Sequence, residues 1–263
     1  MSLLDELLAR CNRHRRFLIL CTLAPTLLAG ILSILLPKYF RAQTRVLPVN
    51  SRLSDKARFS GEEISELYSA FGSGDDLDRI YAAARSETVS RKMVDSFRLV
   101  DRYGLSGKGA AATELAILKL QKHTDIRKTE YGELQVRAWD KDPSVAAAMA
   151  NAMIGEVERM HHNLYRSFYA GTVASLQQAL DRVFVTGDSL PAASLDIYRK
   201  SIAEFSVAMQ HPPPAVMLIE KAIPAVRADR PKIWLNLSAT FLVSLFVAVF
   251  SVLLFTKAAL SAP

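Results

Sequence analysis

Residues 17–36 read FLILCTLAPTLLAGILSILL, and residues 233–256 read IWLNLSATFLVSLFVAVFSVLLFT. Neither stretch holds an Asp, Glu, Lys or Arg. A helix needs roughly 20 such residues to cross about 30 Å of hydrocarbon, so each is long enough to span a bilayer. The chain has 263 residues, 50% of them hydrophobic and 22% charged, values an ordinary soluble domain shares. The distribution sets it apart: the charge gathers in residues 37–232 and the uncharged runs lie outside them. Two spans enclosing one large segment are therefore expected.

Arg10, Arg13, Arg15 and Arg16 precede the first run as the n-region of a signal peptide would. The apolar run, however, exceeds the usual 7 to 15 residues or so of an h-region, and no A-x-A-like site follows it, so an uncleaved span is expected. Only Asp5 and Glu6 oppose the Arg cluster, which by the positive-inside rule puts residues 1–16 in the cytoplasm. Two spans, 17–36 and 233–256, return residues 257–263 to the same side. Arg227, Arg230 and Lys232 before the second span weigh the other way against Lys257 after it. The first cluster dominates this expectation, because long loops translocate largely regardless of their charge.

Between the spans lie 28 of the 33 basic residues and 24 of the 26 acidic ones. A surplus of four, mixed along the segment, speaks against nucleic acid as a partner. Cys11 and Cys21 both lie outside this segment, which must hold itself together by its core rather than by disulfides.

Within the segment, Phe40, Ala42, Thr44 and Val46 alternate with Arg41, Gln43 and Arg45, the period of a half-buried strand. Pro48 opens a polar loop to Lys56. Ser60 and Glu63 form a capping box ahead of Ile64, Leu67 and Phe71 at helical spacing. After Gly72 to Gly74, helical spacing resumes near Asp76 with Leu77, Ile80 and Ala84, and again from Ser86 with Val89, Met93 and Phe97. Gly104, Gly107 and Gly109 end this region, and a short helix around Leu115 to Leu120 follows. Leu134, Val136 and Ala138 alternate with Glu133, Gln135 and Arg137 as a second strand.

Asp142-Pro143 is a strong helix start, since the Asp caps free N–H groups and a proline at the first position has no N–H to satisfy. From there Met153, Val157, Met160 and Leu164, then Val173, Leu176, Leu180 and Val183, recur at steps of three and four. A helix over about 143–185 would be roughly 60 Å long, and would project beyond a compact domain. Thr186 to Ala193 is a turn. Leu195, Tyr198, Ile202, Phe205 and Met209 then form the narrow seam of a return helix over about 194–210, which Pro212 to Pro214 stop. Val216 to Ile219 reads as a buried strand, and Pro224 and Pro231 bracket the approach to the second span. The expected fold class is α+β: a membrane-proximal mixed sheet with helices and a long projecting helical hairpin, flanked by two transmembrane helices.

The order of these features resembles the Wzz-type polysaccharide co-polymerase family. The matching residues are the basic N-terminus, Pro37-Lys38-Tyr39 closing the first span, Leu99-Val100-Asp101, and Asp140-Lys141-Asp142-Pro143. Ala146 to Asn151 then open the long helix, and Glu220-Lys221-Ala222-Ile223-Pro224 lead to Arg230-Pro231-Lys232. The resemblance implies a ring-like homo-oligomer in the bacterial inner membrane, with its main domain in the periplasm and both termini in the cytoplasm. It implies a membrane polysaccharide polymerase as partner, with the nascent polysaccharide, a separate kinase or an outer-membrane exporter as further ones. The chain departs from the family pattern in a short hairpin, a second span without glycines, and only seven residues after it. A form without a fused tyrosine kinase domain is therefore expected. The alternatives are an export adaptor coupling synthesis to a kinase or outer-membrane channel, and a two-span periplasmic sensor.

No catalytic, cofactor or metal site is expected. Ser106-Gly107-Lys108-Gly109 misses the G-x-x-x-x-G-K-[ST] spacing of a phosphate loop. Asp75, Asp76 and Asp78 lack the Gly and distal Glu of a calcium loop and read as helix-capping and surface charges. Glu158, His161 and His162 share one turn of the long helix, where two ligands do not make a metal site, and a solvated face is expected. In the spans, Thr22, Thr26 and Gly30 recur every four residues, as do Ser244 and Ala248. Such small residues let helix backbones approach closely. Pro25 is expected to kink the first span and free a carbonyl.

Overall fold

The computed structural model describes residues 15–50, 71–105, 109–186 and 191–260. In chain order the elements are α1 (Arg15–Leu35), β1 (Tyr39–Pro48), α2 (Gly74–Ala84), α3 (Glu87–Ser96) and α4 (Leu99–Arg102). Next come α5 (Ala110–His123), β2 (Thr124–Lys128), β3 (Leu134–Asp140) and the 44-residue α6 (Pro143–Thr186). The last four are α7 (Ala192–Gln210), β4 (Val216–Glu220), β5 (Ala228–Arg230) and α8 (Ile233–Leu260). Two units result: Met1–Phe40 with Val226–Pro263, and Arg41–Ala225.

The larger unit is α+β, with strands in the order β2-β3-β1-β4. β2 and β3 pair antiparallel from Thr124 opposite Ala138 to Lys128 opposite Leu134. β4 runs antiparallel to β1, with Pro48 opposite Val216 and a register shift between Arg45 and Val46. Alternation decides which face is covered: Ala42, Thr44 and Val46 of β1 and Leu134, Val136 and Ala138 of β3 are buried. They share one core with Leu77, Ile80, Val89, Met93, Leu120, Met149, Met153 and Val157 from α2, α3, α5 and the first third of α6. Each fully buried side chain of this size contributes about 1.5 to 3 kcal/mol.

Local chemistry sets the helix starts. Ser73 and Asp76 form a capping box at α2, the Ser73 N–H donating to Asp76 Oδ2 at 2.8 Å. Ser86 Oγ accepts from the Val89 N–H to start α3. Asp142 Oδ1 accepts from the Ser144 N–H at 2.8 Å to start α6. Gly72 is fixed by space, since a Cβ there would lie 2.8 Å from the Val49 carbonyl oxygen and 2.9 Å from the Pro48 Cβ.

Several expectations change. β4 is not a buried strand: Met217, Leu218 and Ile219 are exposed, because β4 pairs only with β1 in the strand order and forms an edge. Leu164 is 62% exposed and leaves the expected stripe, because α7 packs on the neighbouring face, where Tyr169 meets Phe205 at a ring separation of 5.4 Å. Phe71 is not helical but bridges Val49, and Pro48 belongs to β1 rather than to a loop. The short helix is a 14-residue α5 that buries Ala112, Ala116, Ile117 and Leu120. β2 and β5 have no counterpart in the sequence reading. The Ser60–Glu63 capping box, Ile64, Leu67 and Ser106 to Lys108 lie outside the described residues, as does Cys11.

The smaller unit contains α1 and α8. Over Arg15–Leu35 and Ile233–Val252 these are long and apolar enough to cross a membrane, and most of their large apolar side chains are exposed. Pro25 lies within α1, which remains helical through it. Tyr39 pairs with Arg230 and Phe40 with Ala228 in a short antiparallel ladder.

Candidate functional site

Two places concentrate the residues singled out above. The first is the contact between α1 and α8, which run antiparallel, since Ser33 faces Asn236 and Thr22 faces Ser244. Thr22 and Ala248 are buried in this contact, and a Cβ on Gly30 would touch Leu237 Cδ2 at 3.4 Å. Thr26 turns its hydroxyl onto the Thr22 carbonyl at 2.6 Å. Ser244 Oγ donates to the Phe241 carbonyl at 3.0 Å and lies 3.5 Å from the Thr22 carbonyl. A groove of about 700 Å³ lies beside this contact, bordered by Cys21, Pro25, Thr240, Ser244, Val247 and Ser251. Pro224 and Pro231 are not gathered into either place: Pro224 is exposed in the larger unit, and Pro231 is half-buried in the smaller, after a cis peptide bond.

The second place is the root of the helical hairpin, where α6 holds the chain on either side of β4. Glu158 Oε1 and Oε2 accept from the Ala215 N–H at 3.0 and 3.1 Å, and Oε2 from the Val216 N–H at 3.3 Å. Two turns earlier, Asn151 Oδ1 accepts from the Ala222 N–H and its Nδ2 donates to the Ala222 carbonyl, both at 2.9 Å. His162 Nε2 stands 3.2 Å from Glu158 Oε1. His161 borders a cavity of about 50 Å³ with Asp76, Arg79 and residues 213–215. Burial lowers its pKa, the negative charge of Glu158 opposes that shift, and His162 adds to it. The expectation of a solvated face is thus overturned: Glu158 is an anchor for backbone that enters the sheet edge. A carboxylate on a helix gives no local sign of this, because its partners are 57 and 58 residues away.

No protein-family model matches the chain, and no curated protein does. Solved structures do. One is described as a full-length bacterial polysaccharide co-polymerase, at 10% identity and a TM-score of 0.45 over 99% of both chains. Another is a fragment of WzzB, a polysaccharide co-polymerase from Salmonella Typhimurium, at 9% identity and a TM-score of 0.41, covering 74% of this chain and 100% of the fragment. The chain resembles polysaccharide co-polymerases.

Elsewhere in the larger unit, charged groups pair with one another. Asp140 is buried and takes a two-pronged hydrogen bond from Arg102, at 2.6 and 3.0 Å. Burial pushes its carboxyl up, but the Arg102 bond, the Asp142 N–H and the Arg102 charge together hold it below the ordinary carboxylate range. Arg45 spans the sheet, 2.7 Å from Glu220 and 3.7 Å from Glu133. Asp76 caps α2 and Asp78 pairs with Lys128. Among the described residues, no group of three His, Cys, Asp or Glu side chains is placed to hold a metal ion.

Proposed function

We propose that the protein is a non-catalytic regulator of polysaccharide chain length, acting as an inner-membrane oligomer on a membrane polymerase. The polymer would be lipopolysaccharide O-antigen, capsule or exopolysaccharide. The main domain lies in the periplasm, the termini lie in the cytoplasm, and the bilayer is crossed twice.

One observation carries this reading: an α+β domain with a 44-residue helix and its return lies between two span-length apolar helices. The residues that resemble the co-polymerase family occur in the same order along those elements. A helix of 44 residues reaches about 66 Å at about 1.5 Å per residue. Such an element provides an extended surface rather than a reaction centre. Its most engaged polar side chains, Asn151 and Glu158, bind backbone. Leu164 and Phe168 on α6, and Ile197 on α7, stay exposed, and covering such apolar surface favours assembly with further copies.

Deleting the gene tests the reading. Polymer should still be made, with its length distribution shifted or broadened. Loss of all polymer, or an unchanged distribution, overturns it. A reporter active only outside the cytoplasm should give signal when inserted at the Tyr131–Gly132 turn and none when fused after Pro263.

A further inference from the structure

The loop-side ends of the two spans carry a cluster of basic side chains. Lys38 follows α1, and Arg227, Arg230 and Lys232 precede α8. All four are exposed, against the single half-buried Asp229 in the same stretches. The ladder that sets Tyr39 opposite Arg230 and Phe40 opposite Ala228 brings the two basic stretches side by side, so the cations form one collar. Trp234, in the first turn of α8, is 84% exposed. An exposed Trp at the end of a span belongs at the headgroup level, where its ring is apolar and its N–H meets polar groups. That depth is also where lipid phosphates lie.

We infer that this collar binds anionic phospholipid headgroups in the leaflet that meets the C-terminal end of α1 and the N-terminal end of α8. Basic side chains close to an anionic surface gain roughly 1 kcal/mol each, an attraction that falls off within a Debye length. The inference needs only that α1 and α8 cross the bilayer, and holds for either orientation. It also accounts for the basic cluster ahead of the second span that runs against the positive-inside pattern.

The chain supplies its own reporter, since its two tryptophans are Trp139, which is buried, and Trp234. The full-length protein is reconstituted in nanodiscs of phosphatidylcholine with phosphatidylglycerol, either lipid carrying brominated acyl chains at equal mole fraction. Trp234 fluorescence should be quenched about threefold more by brominated phosphatidylglycerol. The ratio should fall close to one in a Lys38→Gln, Arg227→Gln, Lys232→Gln variant, and also in about 1 M salt. Unchanged emission from buried Trp139 shows that this variant is folded. Equal quenching by both lipids in the wild type, or an undiminished ratio in the variant, overturns the inference alone. No quenching by either lipid overturns it together with the spanning of α8. Displacement by millimolar glycerol phosphate overturns the lipid assignment in favour of a free phosphate.

Discussion

The α1–α8 pair and the root of the hairpin both fasten helices, but with opposite use of polar groups. In the pair, the short hydroxyl bonds turn back on their own helix: Thr26 onto the Thr22 carbonyl, Thr240 onto Asn236 and Ser251 onto Val247, each four residues away, while the contacts that cross between the helices, Ser244 to Thr22 and Asn236 to Ser33, are long at 3.5 Å. At the root, Asn151 and Glu158 reach backbone 71 and 57 residues distant. Where hydrocarbon surrounds a helix, polar groups must be satisfied at once and locally, and close approach of small residues does the joining. In the larger unit, a carboxylate or amide half-shielded from solvent can fix a sheet edge that apolar packing leaves open.

The contrast is open to measurement. Replacing Asn151 and Glu158 together by Ala removes four or more hydrogen bonds, one set of them charged, and should cost about 3 to 5 kcal/mol. Denaturant melts of the detergent-solubilised protein, with proteolysis mapped to residues 211–225, would show it. A loss under about 1 kcal/mol would mean that packing, not these bonds, holds the edge.

Gly30→Leu should weaken the span pair by about 1 to 2 kcal/mol, since its Cβ already meets Leu237 and three further carbons must then fit. A lowered melting temperature with unchanged hydrogen exchange in residues 41–225 is the expected outcome. Exchange that rises across the domain would break the separation between the two regions.

Acid should act on the domain in two windows. His161 has a lowered pKa in the folded state, so it binds fewer protons there than when unfolded, and its contribution fades as pH falls below about 6.5. Asp140 is likewise lowered, and the stability it adds is present above its unfolded value and lost below about pH 4. His161→Gln should flatten the first decline and Arg102→Gln the second. If both variants keep the wild-type stability profile, neither group couples to folding. The smallest effect is expected for Thr26→Ala, within about 0.5 kcal/mol, because its hydroxyl serves only its own helix.

The alternation of residues 40–46 and 134–138, the helical spacing after Ser86 and the cap at Asp142 were legible because each signal and its partner lie within a few residues. β2 was not: Thr124 to Lys128 follow α5 without a break, and only pairing with β3 makes that stretch a strand. Leu164 and Leu115 fit apolar spacing yet face outward, since spacing names a face and not what covers it. The small residues Thr22, Gly30, Ser244 and Ala248 could be picked out in the spans, but their meeting within one chain could not.

Local order alone settles that the chain has two uncharged runs of 20 and 24 residues, a helix begun at Pro143 and strands of period two, because these depend on neighbours along the backbone. Which strand became an edge, which face of α6 met α7, and that Glu158 holds the Ala215 and Val216 amides were settled by the tertiary structure. A carboxylate on a helix face has the same local sequence whether it meets water or a distant N–H. Only the packing of β4 beside β1 brings that N–H within 3.0 Å.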